Sequence, residues 1–463
     1  MSTLQLPVAM VALRPHLGDV VASLERTLPY GAVLLCANQG LDISVDDREE
    51  RVNQKLPTAG TVVTAFDGET LCETALGGFD AAAVMHAARA LAATPRVGET
   101  QLDPGPQRYG DFITPMQTPP ETLSIEEKLG RCRELHRRVR GLDERIVNVR
   151  VFYSEVSEFA VFRNRAADLA QRVQRLRMGM VVFVAGPDGV RYDRTGKDST
   201  GGWEALTFSD EELQSVVDTA VRLLSAERIE PGDYTIIASP GVTGTICHES
   251  FGHGVETDMF LKQRAKAAHF IDRVVASPLV NIFDDPSIPG AYGSYFFDDE
   301  GMLAAPTQIV ENGMFRRGIT DVYSAQALGI PRSANGRRQD FTRKTYARMS
   351  NTFFASGSTP VADLFAQVDR GVYLVKWSSG MEDPQGWGIQ VTCHFGYEIK
   401  NGKVTDRMFA PIGISGYVPD VLQSVSGVGN DWDLDGGGCG KGHKEWVSVA
   451  SGGPHLLLKA RLG

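Results

Sequence analysis

Cysteine is sparse in this chain and never paired in a C-x-x-C motif; long apolar runs, basic tracts, internal repeats and low-complexity segments are missing altogether. Each absence excludes something. The six cysteines (Cys36, Cys72, Cys132, Cys247, Cys393, Cys439) are too scattered to form a disulfide framework and suit a reducing compartment. No apolar stretch approaches the roughly 18 residues that suggest a membrane-spanning helix, and the first residues lack the basic start of a signal peptide. The net charge is −10, and the one basic cluster, "HRRVR" at 136–140, fits the polar side of a helix. Nucleic acids and anionic membranes are therefore not expected partners. The chain reads as a cytoplasmic protein.

What is present is an ordinary globular composition over 463 residues, enough for two or three domains, with 49 glycines that suit a turn-rich, strand-rich architecture. Ser124 with Glu127 and Ser209 with Glu212 form capping boxes that predict two helices, and Asp80 predicts the start of another. Alternating apolar segments such as "GAVLLCA", "GTVVTAF", "IVNVRVFYSE" and "MVVFVAGPDGVRYDR" predict strands, with a hairpin turn at Asp67–Gly68. The expected fold class is α+β, with a mixed α/β N-terminal domain over residues 1–228 and a strand-dominated C-terminal domain over 229–463. "ERIEPGD" (227–233) marks the boundary.

Chemistry concentrates in "ICHESFGHGVE" (246–256). His248, Glu249 and His253 read H-E-x-x-x-H, one residue longer than the H-E-x-x-H pattern that places two imidazoles and a general base on one helix face. Residues four apart sit about 40° apart around a helix, but residues five apart sit about 140° apart, nearly on opposite faces. A shared ion therefore requires the helix to distort, by a π-bulge or by loosening near Gly252 and Gly254. The alternative is a pair of hydrogen-bonded histidines in a glycine-rich turn. A catalytic zinc takes three protein ligands. Cys439, in "DLDGGGCGKGH", is a candidate for the third, its glycines allowing close approach and positive φ, and His443 competes with it. Cys247 adjoins His248 but should point elsewhere on the helix.

Further blocks follow: "GAYGSYFFDDEG" (290–301), "NGRR" (335–338), "ARMSNT" (347–352), "GYEIKNGKV" (396–404), "GNDWDLD" (429–435) and "CGK" (439–441). Together with "HESFGHGVE", and in this order, they resemble the TldD/PmbA family, specifically its TldD-type, histidine-bearing chains. The resemblance implies a zinc metallopeptidase or amidohydrolase in which His248, His253 and Cys439 hold Zn²⁺ and Glu249 is the general base. It also implies a heterodimer with a metal-free paralogue, with a homodimer as the alternative, enclosing a cavity for small or unfolded peptides. Arg337 and Arg338 are candidates to clamp a substrate carboxylate, or else to pair with the acidic "DDEG". The segments 378–387 and 442–458 depart from the usual family pattern. They point to a second reading, a biosynthetic hydrolase acting on an amino-acid-derived natural-product intermediate, with Trp387 and Trp446 adding aromatic surface near the cavity.

Overall fold

Asp67 accepts hydrogen bonds from the backbone N–H groups of Glu69 and Thr70 at 2.8 and 2.7 Å, and Gly68 adopts φ +105°. This turn joins strands Glu50–Phe66 and Leu71–Gly77 at one edge of a seven-stranded sheet in the computed structural model, which describes residues 4–442 and 445–463. Inward from that edge lie Tyr30–Val45, Ile146–Asn164 and Ala167–Gly186, which are antiparallel neighbours. Arg108–Ile113 and Gly189–Thr200 both pair with Ala167–Gly186, the first of them parallel. The strands are longer than the sequence suggests. "GAVLLCA" and "LDISVDD" belong to one 16-residue strand whose register slips between Asn38 and Gly40. A side chain at Gly40 would strike the carbonyl of Glu155, so the slip hides a continuous strand behind an interrupted alternation.

Both capping boxes form, opening helices Ile125–Arg140 and Asp210–Arg222, and the Asp80 side chain caps Ala81–Ala92. The two boxed helices cover one apolar cluster with Val151, Met178 and Met180. Leu17–Leu24 and Ala81–Ala92 cover another with Val33 and Val63.

The C-terminal half carries two more seven-stranded sheets. In the first, Arg370–Asp383, Gly232–Ala238, Leu456–Leu462, Ile412–Tyr417 and Gly388–Lys400 are successive neighbours. A further pairing of Arg370–Asp383 with Gly388–Lys400 closes the sheet on itself. The second runs from Asp433–Lys441 through Glu445–Gly453, Asn351–Phe354 and Ile282–Asp284 to short strands at its far edge. Helix Pro240–Phe251 lies between the two sheets and touches strands of both. It starts with Ser239 as N-cap and Pro240 at its first position, both favoured there. Val242, Ile246 and Phe251 enter the same core as Leu374, Val391 and Phe354. Each such side chain contributes roughly 1.5–3 kcal/mol by leaving water. Gly244 rests on the backbone of Gly452, where a Cβ would come within 2.5 Å of its nitrogen. Thus the segment bearing His248 and Glu249 is a buried strut, not a surface helix.

Asp198, on the N-terminal sheet, meets the Cys439-bearing strand at Gly436. Burial pushes its carboxyl up to about 6 from an ordinary 3.8, with nearby Asp435 adding to the effect of burial. The folded protein therefore binds more protons than the unfolded chain between about pH 4 and pH 6, and stability falls as pH rises through that window. Asp198→Asn should remove this contribution, worth up to about 3 kcal/mol. In urea titrations the variant should gain on the wild type at pH 7 and show little difference at pH 4.

Candidate metal centre

Helix Pro240–Phe251 ends where the five-residue spacing demands. Gly252 takes φ −95° and ψ −83°, and His253 begins a separate 3₁₀ turn, His253–Val255. The break swings the second imidazole onto the side of the first: the rings of His248 and His253 are 5.2 Å apart, at 87°. Glycine is required at the break, because a Cβ on Gly252 would lie 2.1 Å from the sulfur of Met349 and 2.3 Å from the carbonyl oxygen of His248. Overpacking of this kind costs about 1–3 kcal/mol. Gly252→Ala should lower Tm by several degrees and weaken metal retention together, measured by thermal unfolding with and without chelator.

Cys439 arrives from a strand and not from a loop. It lies in Asp433–Lys441, directly opposite Val447 on Glu445–Gly453. The expectation of positive φ among its glycines is not met; only Gly442, beyond the strand, has it. The glycines serve close packing instead. The ring of Trp446 fills the space over Gly438, and Asp198 occupies that over Gly436. Side chains alternate along a strand, so Cys439 points to the opposite face, toward the histidines. Its sulfur is 3.1 Å from His253 Nε2, and the donor atoms of His248, His253 and Cys439 all lie within 4.8 Å of one another. Among the described residues no other such cluster forms; His443 lies outside them. Cys247 is buried and not part of the cluster.

Burial pushes the Cys439 thiol up, but His248 and His253 outweigh it and leave the thiol well below its usual range. Burial lowers His253, but Cys439 and Glu256 reverse that and hold it well above its ordinary value. A thiolate and two imidazoles that converge in this way suit a tetrahedral borderline-soft cation, whose donors stand about 3.5 Å apart at the usual bond lengths.

Glu249 is 8% exposed, and burial raises its carboxyl, partly opposed by the two histidines. Its carboxylate rests against Gly380, where a Cβ would come within 2.4 Å of Oε1. Gly380 of the "SSGMED" segment thus leaves bare backbone beside the acid.

A surrounding network escaped the sequence reading. Glu256 Oε2 is 3.3 Å from His253 Nδ1, and Lys441 Nζ is 3.1 Å from the same oxygen. Arg348, 1% exposed, donates to Glu256 Oε1 at 3.1 Å, to the Cys439 carbonyl at 3.0 Å and to its sulfur at 3.2 Å. One guanidinium thus ties the thiolate to the carboxylate that orients His253, the kind of outer support metal sites use. The usable signals were the Glu256 spacing of three from His253 and the arginine of "ARMSNT".

Arg337 and Arg338 are not brought to the cluster. Arg338 pairs with Glu73 at 2.8 Å, and Arg337 donates to the carbonyls of Met349 and Ser448. The acidic segment meets "NGRR" through backbone: Asp298 accepts from Gly336 N–H and Asp299 from Arg338 N–H. Trp387 is fully buried against Phe251 and Phe270, so it adds no cavity surface, whereas Trp446 is 60% exposed.

A part-buried His/His/Cys cluster with an adjacent buried glutamate points to a metallohydrolase-like class of protein. Residues 118–227 match the PmbA/TldA metallopeptidase central domain, and residues 231–461 match the PmbA/TldA metallopeptidase C-terminal domain. The chain belongs to the PmbA/TldD metallopeptidase family. It is 30% identical over 366 residues to a metalloprotease of Methanothermobacter thermautotrophicus, covering 78% of this chain and 79% of that one. It is 29% identical over 248 residues to a zinc metalloprotease TldD homolog of Saccharolobus solfataricus, covering 53% and 55%. Its fold is similar to that of TldE from Thermococcus kodakarensis, with TM-score 0.73, 17% identity and coverage of 96% and 99%. No described helix is long and apolar enough to cross a membrane.

Proposed function

We propose that this chain is a zinc-dependent hydrolase of amide bonds in small or unfolded peptides, with His248, His253 and Cys439 as the zinc ligands and Glu249 as the general base. The observation that carries the reading is the convergence of three side chains, one of them about 190 residues distant in sequence, onto one small volume beside a buried carboxylate. The zinc metalloprotease name of the Saccharolobus solfataricus relative supports the choice of metal.

When bound, zinc supplies Lewis acidity toward water and the scissile carbonyl oxygen. Glu249 takes the proton of the attacking water on its carboxylate and returns it to the departing amide nitrogen. Burial serves that role, since a carboxyl raised above its ordinary value is a stronger proton acceptor when ionised. Gly380 leaves the acid room, and the helix that carries it is held between two sheets, so its position is preorganised. Arg348 and Lys441 neutralise Glu256, which holds the imidazole of His253 through Nδ1 and directs Nε2 toward Cys439.

By the same family reading, the working assembly is a heterodimer with a metal-free paralogue. Incubation of the purified chain, alone and with such a paralogue, with a mixture of unstructured peptides should generate new peptide ends detectable by mass spectrometry. A chelator should abolish them and added Zn²⁺ restore them. Cleavage indifferent to chelation removes the metal from the mechanism.

A further inference from the structure

A cavity of about 440 Å³ lies on the other side of the Cys439 ribbon, with Trp446 and Ser448 in its wall and the N-terminal sheet opposite. Its wall also holds three arginines: Arg338, paired with Glu73, and the nearly buried Arg175 and Arg337, at 2% and 8% exposure. A guanidinium stays charged when buried, and a buried charge is costly without a counter-charge.

Arg337 has no ion pair with a carboxylate among the described residues. Its Nη1 donates to the backbone carbonyls of Met349 and Ser448 at 2.5 and 2.9 Å, and the Tyr295 ring lies 4.9 Å from its Cζ. The remainder of its fork makes no hydrogen bond among the described residues. Arg175 uses Nε on Glu158, at 3.2 Å, and Nη1 on the Tyr292 carbonyl; Nη2 has no partner among the described residues. Glu158 is itself 41% exposed, so water screens that pair. Asp298 and Asp299 also line the cavity; Asp298 uses both oxygens and Asp299 its Oδ2 on backbone N–H groups, and burial raises both carboxyls, Asp298 to about 6. Four carboxylates, Glu158, Asp298, Asp299 and Asp340, thus share the wall with Arg175 and Arg337, yet both guanidinium groups keep N–H groups that no described residue accepts. Two planar forks with free N–H groups face a space of the size that holds small ligands, roughly 300–1,000 Å³.

We propose that this cavity is a carboxylate-binding subsite, in which Arg337 and Arg175 hold the carboxylate of a peptide end or an amino acid. Planar forks match a carboxylate edge to edge. The nearby Glu158 and Asp299 would repel a dianion such as phosphate, yet they tolerate a monoanion and can receive an accompanying ammonium. The aromatic ring of Tyr295 and those of Phe159 and Phe297 offer apolar contact to the ligand's body. The subsite does not depend on the hydrolytic reading, because its occupancy is a binding event.

The test is calorimetric titration of N-acetyl-trialanine and of its C-terminal amide into zinc-loaded protein carrying Glu249→Gln to prevent turnover. The acid should bind at least tenfold more tightly than the amide. Adding Arg337→Gln should erase the preference, and Arg175→Gln should reduce it several-fold, with zinc content and circular dichroism unchanged. Equal binding of acid and amide overturns the proposal. So does a preference untouched by either substitution, which would put the carboxylate on the metal cluster. Inorganic phosphate binding more tightly than the acid, at the same arginines, overturns the assignment to carboxylates. If Arg337→Gln does not fold, the acid–amide comparison and Arg175→Gln decide the matter.

Discussion

Replacing His253 with alanine should take the zinc content of the purified chain from about one per chain to near zero, read by elemental analysis after dialysis. The loss is expected to be this complete because His253 is one of only three converging donors. Its Nε2 lies 3.1 Å from Cys439 Sγ, and its Nδ1 lies 3.3 Å from Glu256. Removing it leaves one imidazole and a thiolate, too few for a tetrahedral site with three protein ligands. It also leaves Glu256 without one of its partners in a fully buried network. A ligand present at about a thousand times its Kd stabilises the fold by about 4 kcal/mol. Chelation should therefore lower the Tm of the wild type by several degrees and leave that of His253→Ala unmoved. A variant that retains one zinc per chain would dismiss the proposed ligand set.

Glu249→Gln should behave oppositely: full zinc content, a Tm no lower than that of the wild type, and kcat for peptide cleavage lower by roughly 10²–10⁴-fold. Glutamine has the shape to rest against Gly380 as glutamate does, so packing survives while proton transfer does not. Retained turnover would strip Glu249 of its role without touching the metal, which is why the two substitutions are informative as a pair.

Much of this protein was legible in one dimension. Capping boxes at Ser124 and Ser209 and the Asp67–Gly68 turn are local devices: the groups that satisfy one another are within four residues. The distortion between His248 and His253 was legible for the same reason, since helix geometry forbids the spacing and Gly252 allows the break. The strand lengths were not, because an interrupted alternation at Gly40 looks like an end until the neighbouring strand, Val156 opposite Gly40, is in place.

The same division runs through the site. The sequence by itself determined which side chains are candidates for the chemistry, because imidazole, thiol and carboxylate are properties of residues and the His248–His253 interval is local. Only the tertiary structure decided that Cys439 belongs to a strand facing that interval, that Arg348 and Lys441 brace it through Glu256, and that Arg337 looks into a different cavity. The reason is physical. These outcomes depend on which face of a paired strand a residue occupies, and the alternation that selects the face is set by a partner strand, not by neighbours in the chain.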